Sequence, residues 1–352
     1  MLLTVVAFFA VLVVLVLAHE IGHFVTARAF GVTVEEFGIG FPPRLFSIKR
    51  GKTRYSLNVV PIGGFVKLAG EEDPGIPGSL ASKRPGVRIA VLAAGSVMNA
   101  LLPLLLFAIA FMVPHNVATG QVVLDEVAAG SPAALAGMEA GDTILKVDGD
   151  LVRNNTDLHR AIQSNLGSEV AILVRHGSDV TEEIRVVPRW RPPEGEGAIG
   201  VVIRTLDPVV VRESFPFWRA IPMAFVECYD TFILFKNVII SMFIGTVPAV
   251  IAGPVGIAQI TGEAARTGLS SLLEFTAFFS INLAIVNLFP IPALDGGRIV
   301  FVILEWLRRG KRVSPHIERI VHTAGFLLLI CAMLLVTYQD ILRIFTGGSL
   351  IP

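Results

Sequence analysis

Charge is scarce in this sequence. Asp, Glu, Lys and Arg make up 16% of its 352 residues, against 53% apolar residues and a mean hydropathy of +0.70. A typical soluble domain carries about 25% charged residues, so this chain is too oily for water and belongs in a membrane. Its formal net charge is zero, which removes any global basic field and with it a nucleic-acid partner. Cysteine is nearly absent: Cys228 and Cys331 stand far apart in apolar surroundings and make neither a disulfide framework nor a CxxC metal motif. No basic segment precedes the first apolar run, and apolar character resumes after residue 23 where a cleavage site would stand, so this run is an uncleaved helix and not a signal peptide. Repeated halves and multiple intramembrane carboxylates are also missing, which counts against a divalent-metal transporter.

Four apolar stretches reach the roughly 20 residues that a bilayer requires. They run over 2–30, 87–113, 272–307 and 320–344, the third of them interrupted by prolines. A weaker stretch, Ala220 to Ile251, is punctuated by Glu227, Asp230 and Lys236 and reads as an amphipathic helix at the interface. Lys and Arg collect in two loops, from Arg28 to Arg88 and from Arg308 to Arg319, which predicts both loops on the cytoplasmic side. The chain ends and the long segment after Pro114 then face outward. The expected fold is a polytopic α-helical membrane protein with four transmembrane helices. Its two transmembrane halves are 1–117 and 272–352, joined through an inserted domain (118–205) and an interfacial segment (206–271).

The inserted segment alternates β-rich runs with a GSPA turn, a GD turn, a VDG turn and an amphipathic helix around Asp157 to Ser164. It resembles a PDZ domain of the bacterial protease-associated kind, which implies an extracytoplasmic α/β unit able to add a peptide or a carboxyl terminus as a strand. The alternative is a spacer without a ligand. Residues 33–70 alternate in places with period two and turn at Arg50-Gly51-Lys52, which predicts a membrane-associated β-hairpin region. Either a plain cytoplasmic hairpin or a re-entrant one fits that pattern.

Inside the first span stands HEIGH. A charged side chain near a bilayer centre costs roughly 2.5 to 3.5 kcal/mol, so His19, Glu20 and His23 call for a return. Two histidines four apart lie on one face of a helix, about 6 Å apart along its axis, and both imidazoles reach one ion. Glu20 projects beside them, placed to take a proton from water activated by Zn2+. The bland alternative is a polar patch for helix packing. Catalytic zinc takes three protein ligands and keeps one open position, so a third ligand is needed. Asp295 is the candidate: it lies among apolar residues of the third span, after Pro290 and Pro292 and before Gly296 and Gly297. The prolines prevent a regular helix there, and broken helix at membrane depth is tolerated only against protein or a cavity. A carboxylate bonded to a neighbouring helix is the alternative. His115, His159 and His176 fall at or beyond the membrane edge, and His316 and His322 lie near a basic loop and read as interfacial.

HEIGH in the first span, GGFVKLAGE after it, the PDZ-like insertion, GPVGIA at 253–258 and NLFPIPALDGG in the third span together resemble the site-2 protease family of intramembrane zinc metalloproteases, in its bacterial one-PDZ form. The resemblance covers nearly the whole chain. It implies a multi-pass protein of the bacterial cell membrane, active in regulated intramembrane proteolysis. His19, His23 and Asp295 would bind zinc, Glu20 would be the general base, and Asn287 and Asn282 would hold the substrate backbone. The implied substrates are single-pass membrane proteins, such as anti-sigma factors or signal-peptide remnants. One departure stands at 95–99, where GSVMN replaces the GPxxN run common in the family: Asn99 is kept and Ser96 takes the place of proline. A PDZ scaffold without catalysis would show a broken HExxH or LDG motif, and neither is broken.

Overall fold

The unbroken apolar run Leu2–Ala29 forms one helix, α1. In this computed structural model the described residues are 1–71, 73, 75–177, 180–246 and 252–346. They divide into two units, one within Met1–Ala110 and Ile251–Pro352, the other within Phe111–Val250.

In the first unit α1 is followed by strands β1 (Val34–Arg50) and β2 (Thr53–Leu68), then helix α2 (Pro85–Met112). The strands pair antiparallel down to Arg50↔Thr53, so the hairpin turns on Gly51 and Lys52, with Gly51 in the left-handed region that this turn demands. Glu36 is buried in β1, where Arg44 clasps it with two nitrogens at 3.1 and 2.7 Å and the Ser56 hydroxyl donates at 2.7 Å. The rest of this unit is α6 (Pro254–Thr267), α7 (Leu269–Leu288), α8 (Asp295–Leu307) and α9 (Pro315–Phe345). Ala27, Val32, Val34, Leu68, Val91, Leu92 and Val302 form its core. A buried ion pair between Arg88 and Glu305, with Arg312 also on Glu305 at 3.0 Å, ties the start of α2 to the end of α8.

Among the described residues α1, α2, α7 and α9 are long and apolar enough to cross a membrane. The stretch 272–307, expected as one proline-broken span, is two helices: α7 stops at Leu288 and α8 begins at Asp295, because Pro290 and Pro292 supply no amide donors between them.

The second unit contains strands β3 (His115–Val127), β4 (Thr143–Val147), β5 (Asp150–Leu151), β6 (Val170–Arg175), β7 (Thr181–Val186) and β8 (Val201–Glu213), with helices α3 (Pro132–Leu135), α4 (Asn155–Ser164) and α5 (Phe217–Phe243). Its sheet has the order β7-β6-β4-β3-β8, and β5 pairs with β4. Side chains cap the two short helices: Ser131 Oγ accepts from Ala134 N, and Asn154 Oδ1 from Asp157 N. Val122, Leu124, Ile144, Leu158, Val170, Ile172 and Val174 fill the core.

The domain edge expected at 205/206 falls inside β8, which pairs with β3 from Val201 to Glu213. The segment expected to lie at the interface, 206–271, holds the end of β8, then α5 in the second unit and α6 in the first. Its apolar part was expected to end at Ile251, which lies outside the described residues. α5 packs on α4: Arg160 pairs with Glu227, and Asn237 Nδ2 donates to the carbonyls of Gln163 and Ser164 at 2.7 and 3.0 Å, which the helix end leaves without partners.

His176 Nδ1 lies 2.9 Å from Asp142 Oδ1, and its Nε2 lies 3.6 Å from Glu182. The hydrogen bond to Asp142 raises the His176 pKa above its ordinary 6.5, desolvation opposes this, and the charges of Asp142 and Glu182 add to the rise. A raised folded-state pKa means that the stabilisation is complete below the unfolded value and is lost as pH rises through the folded one. The full chain in detergent should therefore melt above His176→Gln at about pH 5.5, with the difference closing by about pH 8.5. A difference that grew with pH would contradict this pairing.

Candidate metal centre

Helix geometry sets the first part of the site. His19 and His23 are one turn apart on α1, and their Nε2 atoms are 3.1 Å from each other. Asp295, the first residue of α8, brings Oδ2 to 3.2 Å from each Nε2. The three residues expected from the sequence as ligands thus meet at one point, about one-fifth exposed or less.

Three observations test whether this trio fits a cation. His23 Nδ1 lies 2.8 Å from the carbonyl oxygen of Val91, which can only accept, so Nδ1 carries the proton and Nε2 presents a bare lone pair. Asp295 Oδ2 is buried and takes no well-aligned hydrogen bond despite its two imidazole neighbours. Facing lone pairs in an apolar interior repel, and a cation between them turns this repulsion into attraction. The donor set of two imidazoles and one carboxylate is also that of open zinc sites, whose ligand atoms at about 2.0 to 2.2 Å from the metal stand about 3.3 Å apart.

Much of the site's support comes from α2. Besides the Val91 carbonyl, it brings Asn99, fully buried, with its amide nitrogen 3.4 Å from His19 Nδ1 and its Oδ1 buried without a partner. Amide oxygen and nitrogen are distinguished only by their surroundings, and turning this amide satisfies both groups, because Oδ1 then accepts from His19 Nδ1–H. In that setting both histidines direct Nε2 at the trio. The backbone of Asn99 is engaged as well. Pro103, four residues on, has no N–H to give, and the Asn99 carbonyl instead accepts from Ser280 Oγ of α7 at 2.7 Å.

Glu20, beside the histidines, faces β2: a Cβ placed on Gly64 would stand 3.3 Å from its Cγ. Asn282 and Asn287 lie on α7, both half-buried. Asn282 Oδ1 is buried without a partner. Sequence reasoning missed the Val91 carbonyl, Gly95 and Ser280, and it gave Asn99 no role. A carbonyl leaves no sequence signal, and the small residues Ala93-Ala94-Gly95-Ser96 are the one local hint of close helix approach.

Gly95 makes that approach possible, since a Cβ there would overlap His23 Nε2 and His19 Cε1, whereas Gly86 in the same helix has open space around it. Gly95→Ala is expected to lower bound zinc and to destabilise the chain by about 1 to 3 kcal/mol, as an overpacked core does. Gly86→Ala should change neither. Equal metal content and equal melting of the two variants would remove the crowding argument.

Comparison with known proteins places this geometry. The model of Peptidase family M50 matches residues 7–332. A Clostridium perfringens protein provisionally named a zinc metalloprotease is 36% identical over 333 residues, 93% of this chain and 95% of that protein. Zinc metalloprotease RasP of Oceanobacillus iheyensis is 30% identical, with 97% of this chain and 99% of that protein covered. Regulator of sigma-W protease RasP of Bacillus subtilis is 28% identical, with the same coverage. Among solved structures, the PDZ domain of the SdrC-like protein of Listeria monocytogenes matches 25% of this chain and 90% of that domain, at 27% identity and a TM-score of 0.22. With HEIGH and LDGG both intact inside the matched range, the chain belongs to Peptidase family M50 and is an intramembrane zinc metalloprotease.

Proposed function

We propose that His19, His23 and Asp295 hold the zinc, that Glu20 is the general base, and that Asn287 and Asn282 hold the backbone of a single-pass membrane protein while it is cut. One observation carries this reading: two imidazole nitrogens and a carboxylate oxygen meet at one buried point, with a second carboxylate next to His19 on the same helix. Zinc, when bound, supplies a Lewis acid that lowers the pKa of water towards 7. Glu20 accepts a proton from the attacking water and delivers it to the leaving amine, so the two halves of the bond leave as carboxylate and amine. The amides of Asn287 and Asn282 each offer a donor and an acceptor to the N–H and C=O groups that an unwound substrate helix exposes.

An unwound substrate also needs a strand partner. β1 and β2 pair only with each other, residues 36–39 with both 54–57 and 64–67, so that 44–50 and 64–68 are the outer segments; Gly64, in one of these, lies against Glu20, which supports a re-entrant hairpin presenting extended peptide to the site. In the PDZ-like unit β8 ends the sheet, so its outer edge is open to a peptide or carboxyl terminus. The basic loops Arg28–Arg88 and Arg308–Arg319 support a chain in the bacterial cell membrane with both loops cytoplasmic and the PDZ-like unit outside. Among its relatives, the Bacillus subtilis protein is named a regulator of sigma-W protease, and by that likeness the substrate class includes anti-sigma factors, with signal-peptide remnants as a second group.

Purified Glu20→Gln should keep native zinc and cut nothing, while His23→Ala and Asp295→Ala should lose zinc; native zinc in both of the latter would overturn the ligand assignment. Asn287→Ala should keep zinc and cleave a co-expressed single-pass substrate about 5- to 150-fold more slowly, the effect of losing about 1 to 3 kcal/mol of buried hydrogen bonding. Cleavage at the native rate, or loss of zinc, would sink its role.

For topology, single cysteines at Lys52 and Ser168 are introduced in a background without the native thiols. Cys228 is a weak competitor in any case, since burial and then the Glu227 charge push its thiol up to about 11. An impermeant thiol reagent on intact cells should label position 168 and spare position 52. The reverse pattern would invert the orientation.

A further inference from the structure

Residues 289–294 lead the chain from α7 to Asp295. The prolines leave few amide groups in this turn: Ile291 N donates to Phe289 O at 2.7 Å, and Leu294 N to Ile291 O at 3.2 Å. Ala293 between them has φ +78, a left-handed backbone that a residue with a Cβ adopts only when its surroundings impose it. Its N–H leaves the turn and donates to Nδ1 of His322, on α9, at 3.0 Å. Three residues on, on the same face of α9, Gly325 lets the helix backbone press against the turn: a Cβ there would overlap the Pro292 ring and stand 2.8 Å from Pro292 O. His322 is accordingly half-buried, with its ring 5.4 Å from that of Phe301.

We propose that His322 is a positioning residue for Asp295: by accepting the Ala293 N–H it holds the left-handed turn that sets the Asp295 carboxylate against the two imidazoles. The lever is short, because Ala293 and Asp295 are separated by one residue. A relaxed φ at Ala293 rotates everything after it, and Oδ2 then leaves its place 3.2 Å from His19 and His23. An outer residue that orients a ligand in this way typically accounts for about 10- to 100-fold in metal affinity.

This inference rests on the metal-centre assignment, so its test carries a control for that assignment. The full chain is purified in detergent, and zinc affinity is measured by competition with a chelator at one fixed pH. His322→Leu should bind zinc about 10- to 100-fold more weakly. His322→Asn, whose Oδ1 takes the place of Nδ1 as an acceptor, should stay within a few-fold of native. Adding Ala293→Gly to His322→Leu should recover most of the loss, because glycine holds a positive φ without a brace. Equal affinities for the leucine, asparagine and native chains, equal damage in the leucine and asparagine variants, or no recovery in the double variant would each overturn the proposal. Native affinity in Asp295→Ala would instead remove the metal-centre assignment, and this inference with it.

Discussion

Two imidazole nitrogens and a carboxylate oxygen are held about 3 Å apart. In water such an arrangement is cheap, since solvent dipoles screen it. In an apolar helix bundle it is costly, and the fold around it must both enforce it and admit the cation that relieves it. Enforcement comes from three directions: α1 supplies the imidazoles at helical spacing, α2 occupies the outer nitrogen of each, and the broken junction of α7 and α8 delivers the carboxylate. Removing the proton from Nε2 by engaging Nδ1 requires acceptors in α2 placed to match both rings, and the lack of a side chain at Gly95 lets that helix come close enough.

A related constraint governs the backbone. Where a helix is interrupted in an apolar medium, every freed N–H and C=O must find a partner. The Asn99 carbonyl, orphaned by Pro103, takes the Ser280 hydroxyl, and the Ala293 N–H takes His322. Each interruption is thereby turned into a contact between elements distant in sequence: α2 with α7, and the junction before α8 with α9.

The grouping of His19, His23 and Asp295 was legible in the sequence, and its support was not. HEIGH is readable because a helix converts a spacing of four into one face, and Asp295 is readable because a carboxylate beside two prolines in an apolar span has few other uses. The hairpin turn at Gly51 and the run of short strands were readable from local chemistry in the same way. Val91, Ser280 and His322 act through long-range contacts that have no period and no local motif. The split of the third apolar stretch was foreshadowed by its prolines, whereas the edge of the PDZ-like unit was misplaced because hydropathy does not reveal that β8 continues to Glu213 alongside β3.

The bond between Ser280 and the Asn99 carbonyl also acts as a rotational index for α7. At 100° per residue, Asn287 lies seven positions on and returns to within about 20° of the Ser280 direction, whereas Asn282, two positions on, points some 200° away. Once Ser280 is pinned to α2, the two amides cannot exchange places by any small rolling of the helix: Asn287 looks to the side where α2 lies, about 10 Å nearer the start of α8, and Asn282 looks to the opposite flank. A helix so indexed offers its two asparagines to different surroundings, and a residue inserted or deleted between 280 and 287 would turn Asn287 through 100° while leaving Ser280 and its bond in place.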